Sequence, residues 1–160
     1  INNLAGKKSM KVGLWMDVNV GMNRTGIVPD EKAFKLFKSL TTSENIIAEG
    51  FHVYDGHLRN PNFNQRKKDC DTAFEKVLLL KAKLEKESFN VKHIIAGGSP
   101  SFPVHALRDD VDLSPGTTLL WDAGYGDLFP EMKMLHAAVL VTRIISKPSE
   151  GILCLDLGHK

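Results

Sequence analysis

The 160-residue sequence predicts an α/β protein in which a parallel-sheet section, residues 1–113, gives way to an antiparallel β section, residues 114–160. Two observations carry this. Between Lys11 and Ala96, three strand-like segments alternate with two helix-like ones, the rhythm of βαβ units. Beyond Ser114, strand-like segments follow one another with only turns between them, the rhythm of hairpins.

The first strand lies in KVGLWMDVNVGMNRTGIV, Lys11 to Val28. Val12, Leu14, Met16, Val18 and Val20 alternate with Lys11, Gly13, Trp15, Asp17 and Asn19, and the strand runs into a loop that holds Arg24 between Gly21 and Gly26. Pro29 and Asp30 announce a helix whose Ala33, Phe34, Phe37 and Leu40 share one face. Ile46 to Tyr54 is the second strand, ending in Asp55-Gly56-His57, and the polar segment Leu58 to Lys68 reads as a loop. A long helix follows over Asp71 to Glu87, with Phe74, Val77, Leu78 and Leu84 inward. Val91 to Ala96 is the third strand, running into Gly97-Gly98-Ser99-Pro100. The later section reads as a strand at Thr117 to Asp122, a glycine-rich loop at Ala123 to Asp127 and a long strand at Ala137 to Ser146. A turn at Lys147 to Gly151 and a strand at Ile152 to Leu157 complete it.

Composition excludes several function classes. The net charge is +2 and no aromatics interleave with the lysines, so there is no footprint for nucleic acid. No run of about 18 apolar residues offers a membrane span. The opening INNLAGKKSM lacks the apolar core of a signal peptide. Cys70 and Cys154 stand far apart without a CxxC partner, which fits free thiols in a reducing, cytoplasmic setting better than a disulfide framework. The chain opens at Ile1 without an initiator methionine and stops at Lys160 directly behind a strand, so it is expected to be a piece of something longer. Three or four βα strands cannot close a barrel that takes about 250 residues, which supports that expectation.

Parallel strands would deliver Arg24, then His52 and Tyr54, then Gly97-Gly98-Ser99 to one rim, because their C-terminal ends point the same way. The glycine pair lets backbone amides approach an anionic oxygen, and the Ser99 hydroxyl adds a donor, as in a phosphate cradle. An arginine, an aromatic with a polar tip and a phosphate nest suit a phosphorylated aromatic cofactor better than a metal. Arg66-Lys67-Lys68 and the lysines of the long helix read as a solvated face, and Cys154 as a small core hydrophobe. His57, His105, His136 and His159 share no ligand spacing, and His159 reads as a surface residue.

Five segments together resemble one family. MDVNVGMNRTGI resembles the GMNR segment of alanine racemases and the DxGxNRxG segment of D-threonine aldolases and D-serine dehydratases. GFHVYDGH resembles the next strand end of those aldolases, and AGGSP their GGTxx phosphate loop. SPGTTLLWDAGYGD resembles their PGxYxFxDAxYG segment, and LCLDLGHK the DxGxK strand of their C-terminal β domain. The chain thus resembles fold-type III pyridoxal-phosphate enzymes of the D-threonine aldolase and D-serine dehydratase group. The resemblance implies the later half of an alanine-racemase-like (β/α)8 barrel followed by part of an antiparallel β domain.

It also implies roles. Arg24 would lie near the cofactor ring and its hydroxyl, while Tyr54 or His52 would approach the ring nitrogen or stack at its edge. Gly97, Gly98 and Ser99 would hold the phosphate, and Asp122 and Tyr125 would join the rim at the start of the β domain. The family's Schiff-base lysine sits on the first barrel strand, which would lie before Ile1, and none of Lys7, Lys8 or Lys11 stands in that motif. Its metal-binding histidine and cysteine, two apart, would lie after Lys160. The implied activity of the complete protein, a homodimer, is aldol cleavage of D-threonine-like β-hydroxy amino acids. D-Serine dehydration, amino-acid racemisation and a non-catalytic pyridoxal-phosphate carrier are the alternatives, and the 160 residues alone are expected to be inactive.

Overall fold

The computed structural model describes residues 1–158, so the reading of His159 lies outside it. The chain divides after Thr118 into two compact units. The first begins with helix α1 (Asn2–Lys7) and strand β1 (Val12–Asp17), then α2 (Glu31–Thr41), β2 (Ile46–Val53) and α3 (Phe63–Lys86). After them come β3 (His93–Ala96), the single-turn α4 (Phe102–His105) and the two-residue β4 (Asp112–Leu113). The four strands form one sheet in the order β1-β2-β3-β4 with every neighbouring pair parallel, as the βαβ rhythm predicts. The second unit carries α5 (Ala123–Leu128) and an antiparallel hairpin of β5 (Ile144–Ser149) and β6 (Ile152–Leu155). Ile144, Ile145, Ile152 and Leu153 of that hairpin are all exposed. Among the described residues no helix is long and apolar enough to cross a membrane.

Several expectations change. α3 begins at Phe63, inside the segment expected to be a loop, because the Asn62 side chain accepts the Gln65 amide at 3.1 Å and caps the first turn. That early start turns Arg66 inward, where it is fully buried and donates to the Asn60 carbonyl at 2.5 Å, rather than joining a solvated face. Further along α3, Leu80 takes the core position expected of Leu78, which stays 40% exposed. Thr117 to Asp122 is not a strand: Thr117–Leu119 is a 3₁₀ turn, and Asp122 accepts the Tyr125 amide at 2.8 Å, starting α5 where a glycine loop was expected. The segment from Ala137 pairs as a strand only from Ile144, and its turn tightens to Glu150-Gly151, with Ser149 opposite Ile152 and Gly151 at a φ of +76°.

The core lies between the sheet and α2 and α3. Met16, Val18, Phe51, Val53, Ile94 and Ala96 pack there with Phe34, Phe37, Phe74, Val77, Leu80 and Leu84. Phe37 and Phe51 meet edge to face, 5.2 Å between centroids. Truncating a buried phenylalanine of this kind costs about 3–5 kcal/mol.

A bulge decides what faces the other side of the sheet. Leu14 pairs with Ala48 but Trp15 pairs with Gly50, so Glu49 and Gly50 together oppose one step of β1. Strict alternation from Ile46 and Ala48 would bury His52 and Tyr54. The extra residue instead returns Phe51 and Val53 to the covered face and leaves His52 and Tyr54 half-buried on the open one. Gly50 has a φ of +150°, and a Cβ there would stand 2.0 Å from the His93 carbonyl oxygen. Gly50→Ala is therefore expected to disrupt the β2–β3 pairing and lower stability by about 1–3 kcal/mol, read as a drop in the urea midpoint. An unchanged midpoint would show that strand spacing does not depend on this glycine.

Candidate functional site

The parallel strands bring their C-terminal ends, and the loops after them, to one edge of the sheet. There the Arg24 guanidinium lies over the Tyr54 ring, 4.7 Å from its centroid, so the loops after β1 and β2 meet. His57 adds a second contact between the same loops, since a Cβ on Gly21 would stand 2.8 Å from its Nε2. One pleat back, His52 faces Asp17 across the β1–β2 pair, with Nδ1 2.8 Å from Oδ1. Partial burial would raise the Asp17 carboxyl. Hydrogen bonds with Thr25 and His52, with the positive charges of His52 and Arg24, outweigh it and hold this group below the usual carboxylate range. The two candidates for the cofactor ring thus have different partners, a carboxylate for His52 and a guanidinium for Tyr54.

The loop after β3 closes on Tyr54 from another side. A Cβ on Gly98 would stand 3.1 Å from Tyr54 Cε2 and one on Gly56 2.2 Å from its hydroxyl, so two bare glycines make room for this ring. Behind the loop lies a buried polar hub. The Asp55 Oδ1 accepts from the Ser101 hydroxyl and from the Gly98 amide at 3.2 Å, and its Oδ2 lies 2.8 Å from His105 Nε2. Arg108 donates through Nε to His105 Nδ1 at 3.3 Å and through Nη2 to Asp71 of α3 at 2.6 Å. With Nδ1 accepting, the proton of this imidazole sits on Nε2 and points at Asp55. Desolvation alone would raise the Asp55 carboxyl, but the hydrogen bonds from His105, Ser101 and Gly98 keep it below its ordinary value.

The phosphate loop expected at Gly97-Gly98-Ser99 is partly committed inward. Gly97 donates its amide to the Val53 carbonyl at 3.2 Å, and Gly98 donates to the hub. Ser99 is buried, and its amide has no hydrogen bond to another described residue. In the second unit, Asp122 caps α5 and Tyr125 stacks between Trp121 and Phe129, at 5.7 and 5.8 Å between centroids.

Sequence reasoning passed over Asp17, Asp55, Ser101 and His105. The signals it offers are a serine and a histidine four apart on one helical turn, an acid at the end of the first strand and an acid just after the second. Cys70 of α3 also joins the hub, its ligand atom and those of Asp55 and His105 all within 4.8 Å of one another. Both Asp55 oxygens are already taken by hydrogen-bond partners, so the trio forms a packed polar core rather than an open chelate. Burial and the neighbouring Asp55 charge push the Cys70 thiol up to about 12, which keeps it protonated.

Because the folded pKa of Asp55 is lowered, its contribution to stability is fully present above the ordinary carboxylate value of about 4 and is lost as pH falls through the lower folded value. Urea midpoints are expected to decline over that acid range, and Asp55→Asn to flatten the decline. An equally steep decline in the variant would place the acid sensitivity elsewhere. Cys70 is expected to resist iodoacetamide in the folded protein while the half-buried Cys154 is labelled. Equal labelling of the two would show that α3 opens readily.

Comparison with known proteins agrees with this fold. Residues 1–122 match the family model for the alanine racemase N-terminal domain. A 3-hydroxy-D-aspartate aldolase of Paracoccus denitrificans is 23% identical over 98% of this chain and 43% of its own length. A D-threonine aldolase from Filomicrobium marinum has a crystal structure that aligns with a TM-score of 0.88 at 23% identity, covering 99% of this chain and 43% of that one. An alanine racemase of Clostridium difficile 630 aligns with a TM-score of 0.66 at 17% identity, covering 81% of this chain and 33% of its own. The chain therefore spans less than half the length of these relatives. With the match running from Ile1 through Asp122 and the parallel sheet inside it, the chain belongs to the alanine racemase N-terminal domain family of fold-type III pyridoxal-phosphate enzymes.

Proposed function

We propose that the complete protein holds pyridoxal phosphate at the Arg24–Tyr54 rim and cleaves D-threonine-like β-hydroxy amino acids by a retro-aldol reaction. The observation that carries the cofactor assignment is Arg24 held over the Tyr54 ring beside a loop whose glycines a Cβ would fill. A planar cation and bare backbone at one rim fit a flat, anionic ring better than a compact metal ion. Support for aldol cleavage comes from the D-threonine aldolase and the 3-hydroxy-D-aspartate aldolase, which align over nearly the whole chain, hairpin included.

When bound, pyridoxal phosphate supplies an electron sink for charge developing at the substrate α-carbon. Arg24 would set a fixed positive charge against the ring. His52, oriented by Asp17 through Nδ1, would present Nε2 to the open face of the sheet, where it can hold or pass a proton. The Ser99 amide and hydroxyl would take the phosphate, with Gly97 and Gly98 keeping side chains out of its way. The expected roles of Asp122 and Tyr125, the homodimer, the divalent metal and a Schiff-base lysine upstream of Ile1 belong to the same proposal.

The complete protein supplied with pyridoxal phosphate is expected to release glycine from D-threonine and from 3-hydroxy-D-aspartate, leaving the L isomers intact. Arg24→Met is expected to weaken cofactor retention about 3- to 30-fold. Racemisation of alanine without glycine release would overturn the aldolase assignment and leave the cofactor assignment standing. Failure to retain pyridoxal phosphate would overturn both.

A further inference from the structure

Asp55 takes no part in the proposed chemistry, yet its buried carboxylate ties together three segments of the rim. It follows Tyr54 at the end of β2, it receives the Gly98 amide of the loop after β3, and it meets Ser101 and His105 at the two ends of α4. Arg108 extends the connection to Asp71 of α3. We propose that Asp55, Ser101 and His105 are positioning residues that fix the Gly97–Ser99 loop and thereby set the affinity for the phosphate end of the cofactor. This rests on the reading that the loop meets a phosphate.

The loop cannot hold its own shape. Two consecutive glycines, the first at a φ of +91°, have wide conformational freedom, so the geometry must come from partners. Those partners lie on its inner side. The Gly98 amide bonds to Asp55 and to Ser101 Oγ, the Gly98 carbonyl accepts the Ser101 and Phe102 amides at 3.1 and 2.9 Å, and the Gly97 carbonyl accepts the Ser114 hydroxyl at 3.2 Å. With Gly97 and Gly98 both donating inward, Ser99 is the residue left to present an amide and a hydroxyl to an anion. The hub thus works by committing one amide so that the next is aimed.

Electrostatics acts in the opposite direction. A carboxylate behind the loop repels an anion in front of it. The Arg108 guanidinium, itself paired with Asp71, offsets part of that charge, and the buried Arg66 and the protonated Cys70 thiol are the other titratable groups of the cluster. The sign of the measured effect therefore separates positioning from field. If positioning governs, neutralising Asp55 weakens phosphate binding; if the field governs, it strengthens it.

The test titrates the complete apoprotein with pyridoxal phosphate and, separately, with pyridoxal, following the quenching of intrinsic fluorescence. Asp55→Asn and Ser101→Ala are each expected to weaken pyridoxal phosphate binding about tenfold or more, while binding of pyridoxal stays as in the wild type. His105→Gln, which keeps a donor toward Asp55, is expected to preserve the discrimination that His105→Ala loses. Unchanged or tighter pyridoxal phosphate binding in the Asp55 and Ser101 variants overturns the proposal, and so does an equal loss for both ligands. If Asp55→Asn does not fold, Ser101→Ala, which removes a single hydroxyl, decides the matter. Wild-type protein that binds neither ligand discards the cofactor assignment and this proposal together, whereas wild-type binding with indifferent variants discards this proposal alone.

Discussion

The rim depends on the close passage of β2 and β3 at Gly50, a place where no side chain fits. At the same glycine β2 carries an extra residue against β1, and its alternation changes phase in mid-strand. Everything downstream inherits the new phase. Phe51 and Val53 go under the helices, and His52 and Tyr54 come out on the open face, in register with Asp17. Without this offset the same sequence would direct its imidazole and phenol into an apolar core, where each would need a buried partner.

The hub behind the rim shows how a small domain keeps a buried carboxylate. Removing an ion from water costs several kcal/mol, and attraction offsets that only where hydrogen bonds saturate it. Asp55 meets this condition with a hydroxyl, an amide and an imidazole, and the imidazole is held in one tautomer by Arg108. Such an arrangement adds little net stability compared with an apolar core. Its effect is directional, because a charge saturated by partners in the loop after β3 and at both ends of α4 has few alternative arrangements.

Much of the first unit was legible in the sequence because its strands and helices carry strong, separate periodicities. The order of elements, the parallel pairing and the meeting of Arg24 with Tyr54 all follow from strand ends that point one way. What escaped has identifiable causes. A phase change at one glycine is invisible to a period-2 count, and the start of α3 rests on a single asparagine cap inside a polar stretch. Asp55 and His105 stand fifty residues apart, so no spacing rule unites them until β2 and β3 pair. Thr117 to Asp122 carries strand-like residues, but a strand needs a neighbour, and the Asp122 carboxylate finds a helix amide instead.

The hairpin of the second unit has a consequence for how copies of this chain behave toward one another. A ribbon of two strands, apolar and exposed at Ile144, Ile145, Ile152 and Leu153, offers open edges on which another copy could lengthen the ladder. Lys147 and Pro148 sit within β5, where the proline withdraws a backbone donor and the lysine sets like charges side by side in any stacked array. Both features disfavour edge-to-edge stacking of the hairpin.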